Sequence, residues 1–113
     1  MALAETAQAV GAPHGYKLSA QIKRYTLMDT GFVKTKNGNF QLERALDPKS
    51  PYNSALKLRI QVDKDLKKLS MAVTTSNGLR AVDIFKSDKT ADNVVQYNYV
   101  LDNLIDRQVI EQI

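Results

Sequence analysis

The sharpest pattern in the chain is an alternation of apolar and polar positions over residues 55–75. Leu56, Leu58, Ile60 and Val62 alternate with Lys57, Arg59 and Gln61. A period of two sends the two sets to opposite faces of a β-strand. A second alternation covers residues 66–75. It sets Leu69, Met71, Val73 and Thr75 against Lys68, Ser70, Ala72 and Thr74. Asp63-Lys64-Asp65 joins the two runs as a charged, solvent-facing turn. The two strands are expected to pair, with one face buried and the other wet.

Upstream, residues 32–35 and 40–46 flank Lys36-Asn37-Gly38-Asn39. Asn-Gly tolerates the positive φ angles of tight hairpins, so this stretch predicts a turn between two strands. Phe40, Leu42 and Leu46 share a face with Arg44, while Gln41 and Glu43 face the other way. Asp47-Pro48-Lys49-Ser50-Pro51 reads as a loop, because proline fixes φ and removes a donor. Tyr52-Asn53-Ser54 leads into the central pair. Near the start, residues 1–11 fit either a helix or a first strand. Gly11-Ala12-Pro13-His14-Gly15 is turn-like, and Tyr16-Lys17-Leu18 suits a short strand. Ser19 can cap a single helical turn over residues 20–23. Tyr25-Thr26-Leu27 is β-prone and is closed by Asp29-Thr30-Gly31.

The period changes towards the other end. Val94, Tyr97, Leu101, Leu104, Ile105 and Gln108 recur at spacings of three and four, and Val100 widens the stripe. This predicts an amphipathic helix capped by Ser87, Asp88 or Thr90. Its stripe should cross the sheet face built from Leu56, Leu58, Ile60, Leu69, Met71 and Val73. Residues 79–85 fit neither period and read as a strand or a bent segment. Residues 109–113 suit a last helical turn or a final strand. The expected architecture is α+β: an antiparallel β-meander packed by a long amphipathic helix, with room for a second short helix near Ser19.

Length and composition narrow the field. A chain of 113 residues predicts one domain, spanning residues 1–113. With no cysteine, disulfides, thiolate catalysis and cysteine-held zinc or iron–sulfur clusters are excluded. Residues 1–10 include Glu5 and lack a basic start with a long apolar run, so no signal peptide is expected. No run approaches the roughly 18 apolar residues of a membrane helix, and a cytoplasmic location is expected. The net charge of +4 implies weak attraction to anions.

Catalytic signatures are sparse. His14 is the single histidine and sits in the turn-like stretch 11–15; an exposed loop histidine is the simpler reading. Asp102 and Asp106 are four apart on the predicted helix, which suits a solvated face better than a cation site. Asp63 and Asp65 have the spacing that opens a calcium loop, without its glycine and distal glutamate. No glycine-rich phosphate cradle is present, and no cofactor is expected. The basic residues suggest more. Lys57 and Arg59 should project from one strand face, with Lys68 on the neighbouring strand and Lys64 and Lys67 near the turn. Such a patch could hold phosphate or carboxylate groups. No exposed aromatic alternates with these charges, as a single-strand-binding sheet would show. Of the tyrosines, Tyr97 falls on the buried stripe. Tyr99 falls off it and could line a pocket or partner surface. The candidate ligand-binding set is therefore Lys57, Arg59, Lys68 and Tyr99.

Several stretches resemble a small family of lactic-acid bacteria (Lactobacillales) known as a domain of unknown function. They are Ala7-Gln8 with Val10-Gly11, Tyr16-Lys17-Leu18, Ile22-Lys23 with Tyr25-Thr26-Leu27, Lys36-Asn37-Gly38-Asn39-Phe40, and Asn77-Gly78-Leu79. The resemblance runs over nearly the whole chain. It implies an α+β fold of antiparallel sheet with packed helices, and a role near amino-acid metabolism, beside enzymes that mobilise sulfur from cysteine. It carries over no catalytic residue. The missing thiol argues against this chain accepting a persulfide itself. The favoured reading is a binding or accessory protein for a small anionic ligand or an amino-acid-metabolism enzyme, rather than a catalyst. The alternative is a nucleic-acid-binding module using Lys57, Arg59, Lys64, Lys67 and Lys68.

Overall fold

The structure, a computed structural model, describes residues 3–46, 56–75, 77–78, 80–86 and 88–113. The predicted loop at residues 47–51, the lead-in at 52–54, and Ala55, Ser76, Leu79 and Ser87 lie outside the described residues. The expected meander forms. Strands β3 (Val33–Lys34), β4 (Phe40–Ala45), β5 (Lys57–Val62) and β6 (Leu69–Thr74) lie side by side in that order, each pair antiparallel. Their register sets Leu42 against Ile60 and Ile60 against Met71. Phe40, Leu42, Leu58, Ile60, Val62, Leu69, Met71 and Val73 thus make one buried face. The hairpin turn closes through Thr35 N–H to Asn39 O (2.7 Å), with Gly38 at φ +90°.

Two expectations for the central pair need correction. Leu66 is not in the second strand. It sits in the turn at φ +58°, because the Asp63 carboxylate accepts from the amides of Lys67 (2.7 Å) and Lys68 (2.8 Å) and draws the chain round. Nor is the second face of β6 wet, since all six of its positions are buried. Ser70 and Ala72 are short, and the segment carrying Thr6, Ala7 and Gln8 passes beside them.

A second antiparallel sheet is built from distant parts of the chain. It comprises β1 (Thr6–Ala7), β2 (Tyr16–Leu18) and β7 (Ile110–Gln112), in the order β1-β2-β7. Residues 109–113 therefore supply a final strand rather than a helical turn. Strands of two or three residues are too short to show a period, so Tyr16-Lys17-Leu18 reads as a strand while residues 1–11 and 109–113 stay open between helix and strand in the sequence. The segment before β1 also touches the larger sheet: Ala4 exchanges both backbone hydrogen bonds with Leu69. At the other end of β6, Thr74 bridges Ala81, so the segment after the sheet is bent with a single β-bridge.

The short helix lies later than expected. Residues 19–22 form a turn in which Gln21 N–H donates to Ser19 Oγ (3.1 Å). Helix α1 spans Arg24–Asp29 and includes the β-prone Tyr25-Thr26-Leu27. Burial decides this: Leu27 is wholly buried and Thr30 nearly so, a spacing of three that a strand would split between faces. The long helix α2 spans Ala91–Asp106 and buries Tyr97, Leu101 and Leu104, with Val94, Val100 and Ile105 half-buried. Tyr97 Oη donates to Met71 Sδ (3.8 Å), and Asn93 Nδ2 donates to Leu46 O (3.1 Å). These bonds seat α2 on the apolar face of the meander, as the stripe predicts. The Phe85 ring meets Tyr97 edge-on at 5.1 Å. Burial pushes the Tyr97 hydroxyl above its ordinary pKa, and Tyr16 adds to the rise. Gln108 falls beyond the helix and is exposed. Thr90 holds the N-cap position, but its hydroxyl reaches back to Ile84 O (2.5 Å) instead of the helix amides. Among the described residues, no helix is long and apolar enough to cross a membrane.

Candidate functional site

Lys57 and Arg59 project together from β5, as their alternation requires. They meet Glu43, which stands across from Arg59 on β4. Lys57 Nζ lies 3.0 Å from Glu43 Oε1, and Arg59 Nε lies 2.9 Å from Glu43 Oε2. The second contact is an ion pair by distance, although the Nε–H is not aligned as a hydrogen bond. The guanidinium also packs against the turn after β6, where a Cβ on Gly78 would stand 2.7 Å from Arg59 Nη1. One carboxylate thus engages both cations, and the glycine turn covers one of them. All three side chains are about two-thirds or more buried.

The other two residues of the expected set lie elsewhere. Lys68 precedes β6, beside Asp63, whose charge it stabilises. Arg59 pairs with Ala72, so Lys68 is four residues away along the strand, about 13 Å. Tyr99 is on α2 and 74% exposed. It borders a crevice of about 30 Å³ with Thr30, Leu42, Arg44 and Asn103, on the helix side of the sheet. Lys57 and Arg59 occupy the opposite side. The four residues do not form one site.

A different cationic cleft is assembled at the turn end of the meander. In an antiparallel meander, the β3–β4 turn and the β5–β6 turn fall at the same end of the sheet. Here Asn39 Oδ1 accepts from Lys64 N–H (3.1 Å), which ties the two turns together. Arg24, the first residue of α1, reaches across and donates from Nη2 to Lys64 O (3.0 Å). Arg24, Lys34 and Lys64, with Gly38 and Phe40, line a cleft of about 330 Å³. Its lining holds three cations and no carboxylate. None of the three forms an ion pair among the described residues. The Arg24 guanidinium is fixed by a backbone carbonyl, which orients it without neutralising it. This can hold a carboxylate or phosphate.

Reading the sequence missed Arg24 and Lys34. Lys64 appeared only as an accessory to the Lys57–Arg59 patch. The available signal was topological: the end of β3 and the two turns at that end of the sheet carry Lys34, Lys36 and Lys64. Arg24 had no such signal, because its helix was displaced from the expected position. His14 is exposed and borders a separate cleft of about 310 Å³ with Gln8 and Ile113. Among the described residues, no group of three histidine or acidic side chains could hold a metal ion.

The fold and the cleft together define a small α+β protein of two antiparallel sheets and a packed helix, with a concave cationic surface. The chain belongs to the DUF1831 family, described as "Putative amino acid metabolism", whose family model matches residues 1–111. The resemblance seen in the sequence thus identified the right family. The chain is similar to a DUF1831 family protein from Lactobacillus plantarum, known from a 1.20 Å crystal structure. The two share 42% identity and superpose with a TM-score of 0.91, over 100% of this chain and 99% of that one. No curated protein matches the chain.

Proposed function

We propose that the protein is a binding or accessory protein of amino-acid metabolism that captures a small anion in the cleft of Arg24, Lys34 and Lys64. The observation that carries this reading is three cations lining one cleft without a counter-ion among the described residues. On the outer face of the sheet, Lys57 and Arg59 are already paired with Glu43. The family description supports the metabolic setting. The ligand is a carboxylate or phosphate compound small enough for about 330 Å³. The sulfur-handling enzymes implied by the sequence resemblance are one candidate source of such a compound.

A thermal-shift titration of the full chain tests the proposal. The probes are inorganic phosphate, pyrophosphate, L-aspartate, L-glutamate, L-cysteine and a short oligonucleotide, each at two salt concentrations. A ligand at about a hundred times its Kd stabilises the fold by roughly 2.7 kcal/mol, a rise of several degrees. The expected result is such a rise with at least one small anion, abolished when Arg24, Lys34 and Lys64 are replaced by Ala. A flat panel, or a shift that survives the triple replacement, overturns the reading. A response to the oligonucleotide alone, falling steeply with salt, transfers the site to nucleic acid.

A further inference from the structure

A second cleft lies at the far edge of β6, and its chemistry is the opposite of the first. The segment before β1 pairs with β6 at one point, through Ala4 and Leu69. The chain then bends away and pairs with β2 instead. At the other end of the same edge, Val82 N–H donates to Val73 O (2.8 Å). Between these two contacts, Thr6, Ala7, Gln8 and Val10 stand off from Ser70, Met71 and Ala72. They leave a cleft of about 350 Å³, with Ala81 at its rim. The lining carries no charged side chain and is mainly apolar.

Ser70 singles this cleft out. The residue is 3% exposed, and its Oγ has no hydrogen-bond partner among the described residues. A hydroxyl buried without a partner is destabilising, and native structures seldom leave one unmet. An alanine in this position would fill the same space without that cost.

We propose that this cleft binds a small uncharged molecule with an apolar body and a carbonyl group, which accepts a hydrogen bond from Ser70 Oγ. The walls of Ala7, Met71 and Ala72 suit the apolar part. A charged head group would lose water there and meet no counter-ion, so neutral ligands are selected. The cavity is near the lower end of the size range of small-molecule sites. Its ligand is therefore distinct in kind from the anion proposed for the cationic cleft.

The test uses three probes that share one branched carbon body: isovaleramide (neutral), isovalerate (anionic) and L-leucine (zwitterionic). Each is titrated into the ¹⁵N-labelled full chain and followed by amide shifts. The expected result is saturable shifts at Ala7, Ser70, Met71, Ala72 and Ala81 with isovaleramide, and at least tenfold weaker binding of the other two. Ser70→Ala should weaken isovaleramide about tenfold while leaving Tm unchanged or higher. Ala81→Leu, which narrows the rim from an exposed position, should also weaken it. Absent shifts, which leave the cleft to water, overturn the proposal. So do equal affinities for all three probes, or a Ser70→Ala variant that melts several degrees lower, since the hydroxyl would then be structural. None of these outcomes depends on whether Arg24, Lys34 and Lys64 bind an anion.

Discussion

The outer face of the meander and the cleft at its turn end hold the same kinds of side chain in opposite states. On the outer face, Lys57 and Arg59 share the Glu43 carboxylate at 3.0 and 2.9 Å. At the turn end, Arg24, Lys34 and Lys64 line a concavity and have no ion-pair partner among the described residues. Positive residues close in sequence are therefore not the ones available to a ligand. In a strand pair, a cation readily meets the acid placed opposite it in register. Turns that converge from different hairpins have no such register, so their charges are left to solvent or to a ligand.

The largest expected effect follows directly. Charge-assisted hydrogen bonds are worth roughly 1.5–3 kcal/mol each. Arg24→Ala should therefore raise the Kd of a small anion at least about tenfold by calorimetry. The Lys57→Ala, Arg59→Ala double variant should leave that Kd within about twofold. If the double variant loses binding and Arg24→Ala keeps it, the roles of the two regions are reversed.

A smaller effect comes from converting one region into the other. Glu43→Gln removes the carboxylate that Lys57 and Arg59 share, and leaves both cations half-buried. The expected destabilisation is at most about 1 kcal/mol, since the three side chains keep contact with water. The informative readout is binding: the variant should acquire a second, weak and salt-sensitive anion site on the outer face. Two-site behaviour in phosphate titration, against one site in the parent, checks this.

Much of the fold was legible because its central elements are long enough to show a period. Six-residue strands such as β5 display the alternation, and the sixteen residues of α2 display the stripe. The second sheet was only partly legible: Tyr16-Lys17-Leu18 reads as a strand, but the strands within residues 1–11 and 109–113 are too short to be told from helix by their period. Helix α1 shows a different failure. Tyr25 and Thr26 favour strands locally, but burial of Leu27 and Thr30 overrides that preference. The site was less legible than the fold. Lys57 and Arg59 were correctly placed on one face, but nothing in their spacing announced that Glu43 would stand across from them. That requires the register of β4 on β5.

The turn bordering the cationic cleft is held by a carboxylate that bonds to backbone rather than to cations. Burial pushes the Asp63 carboxyl up, but the amides of Lys68, Lys67 and Asp65 and the charge of Lys68 outweigh it and leave it below its ordinary value. A lowered folded-state pKa contributes stability above the unfolded carboxylate value. That contribution is lost as pH falls through the folded value. The Tm difference between the parent and Asp63→Ala should therefore be constant near neutral pH and shrink below about pH 4. At neutral pH the difference corresponds to about 1 kcal/mol, the scale of one exposed charged hydrogen bond. A difference that grows on acidification contradicts the assignment.

The smallest expected effect separates stability from binding. Both helices end in the same backbone motif. After α1, Gly31 N–H donates to Met28 O (3.3 Å) and Phe32 N–H to Leu27 O (2.9 Å). After α2, Gln108 N–H donates to Ile105 O (3.0 Å) and Val109 N–H to Leu104 O (2.9 Å). The motif needs a left-handed residue just past the helix, which glycine adopts without steric cost. Gly31 does so at φ +106°, whereas Gln108 is held at φ +61° despite its side chain. Replacing Gln108 with Gly removes the clash but adds freedom to the unfolded chain, so the net gain is about 0.5–1 kcal/mol. Gln108 is exposed and lines neither cleft. Gln108→Gly should raise Tm by a few degrees while the Kd values for phosphate and isovaleramide stay unchanged. If either affinity moves with Tm, binding is coupled to the packing of α2, and the contrast between paired and unpaired cations no longer explains where ligands go.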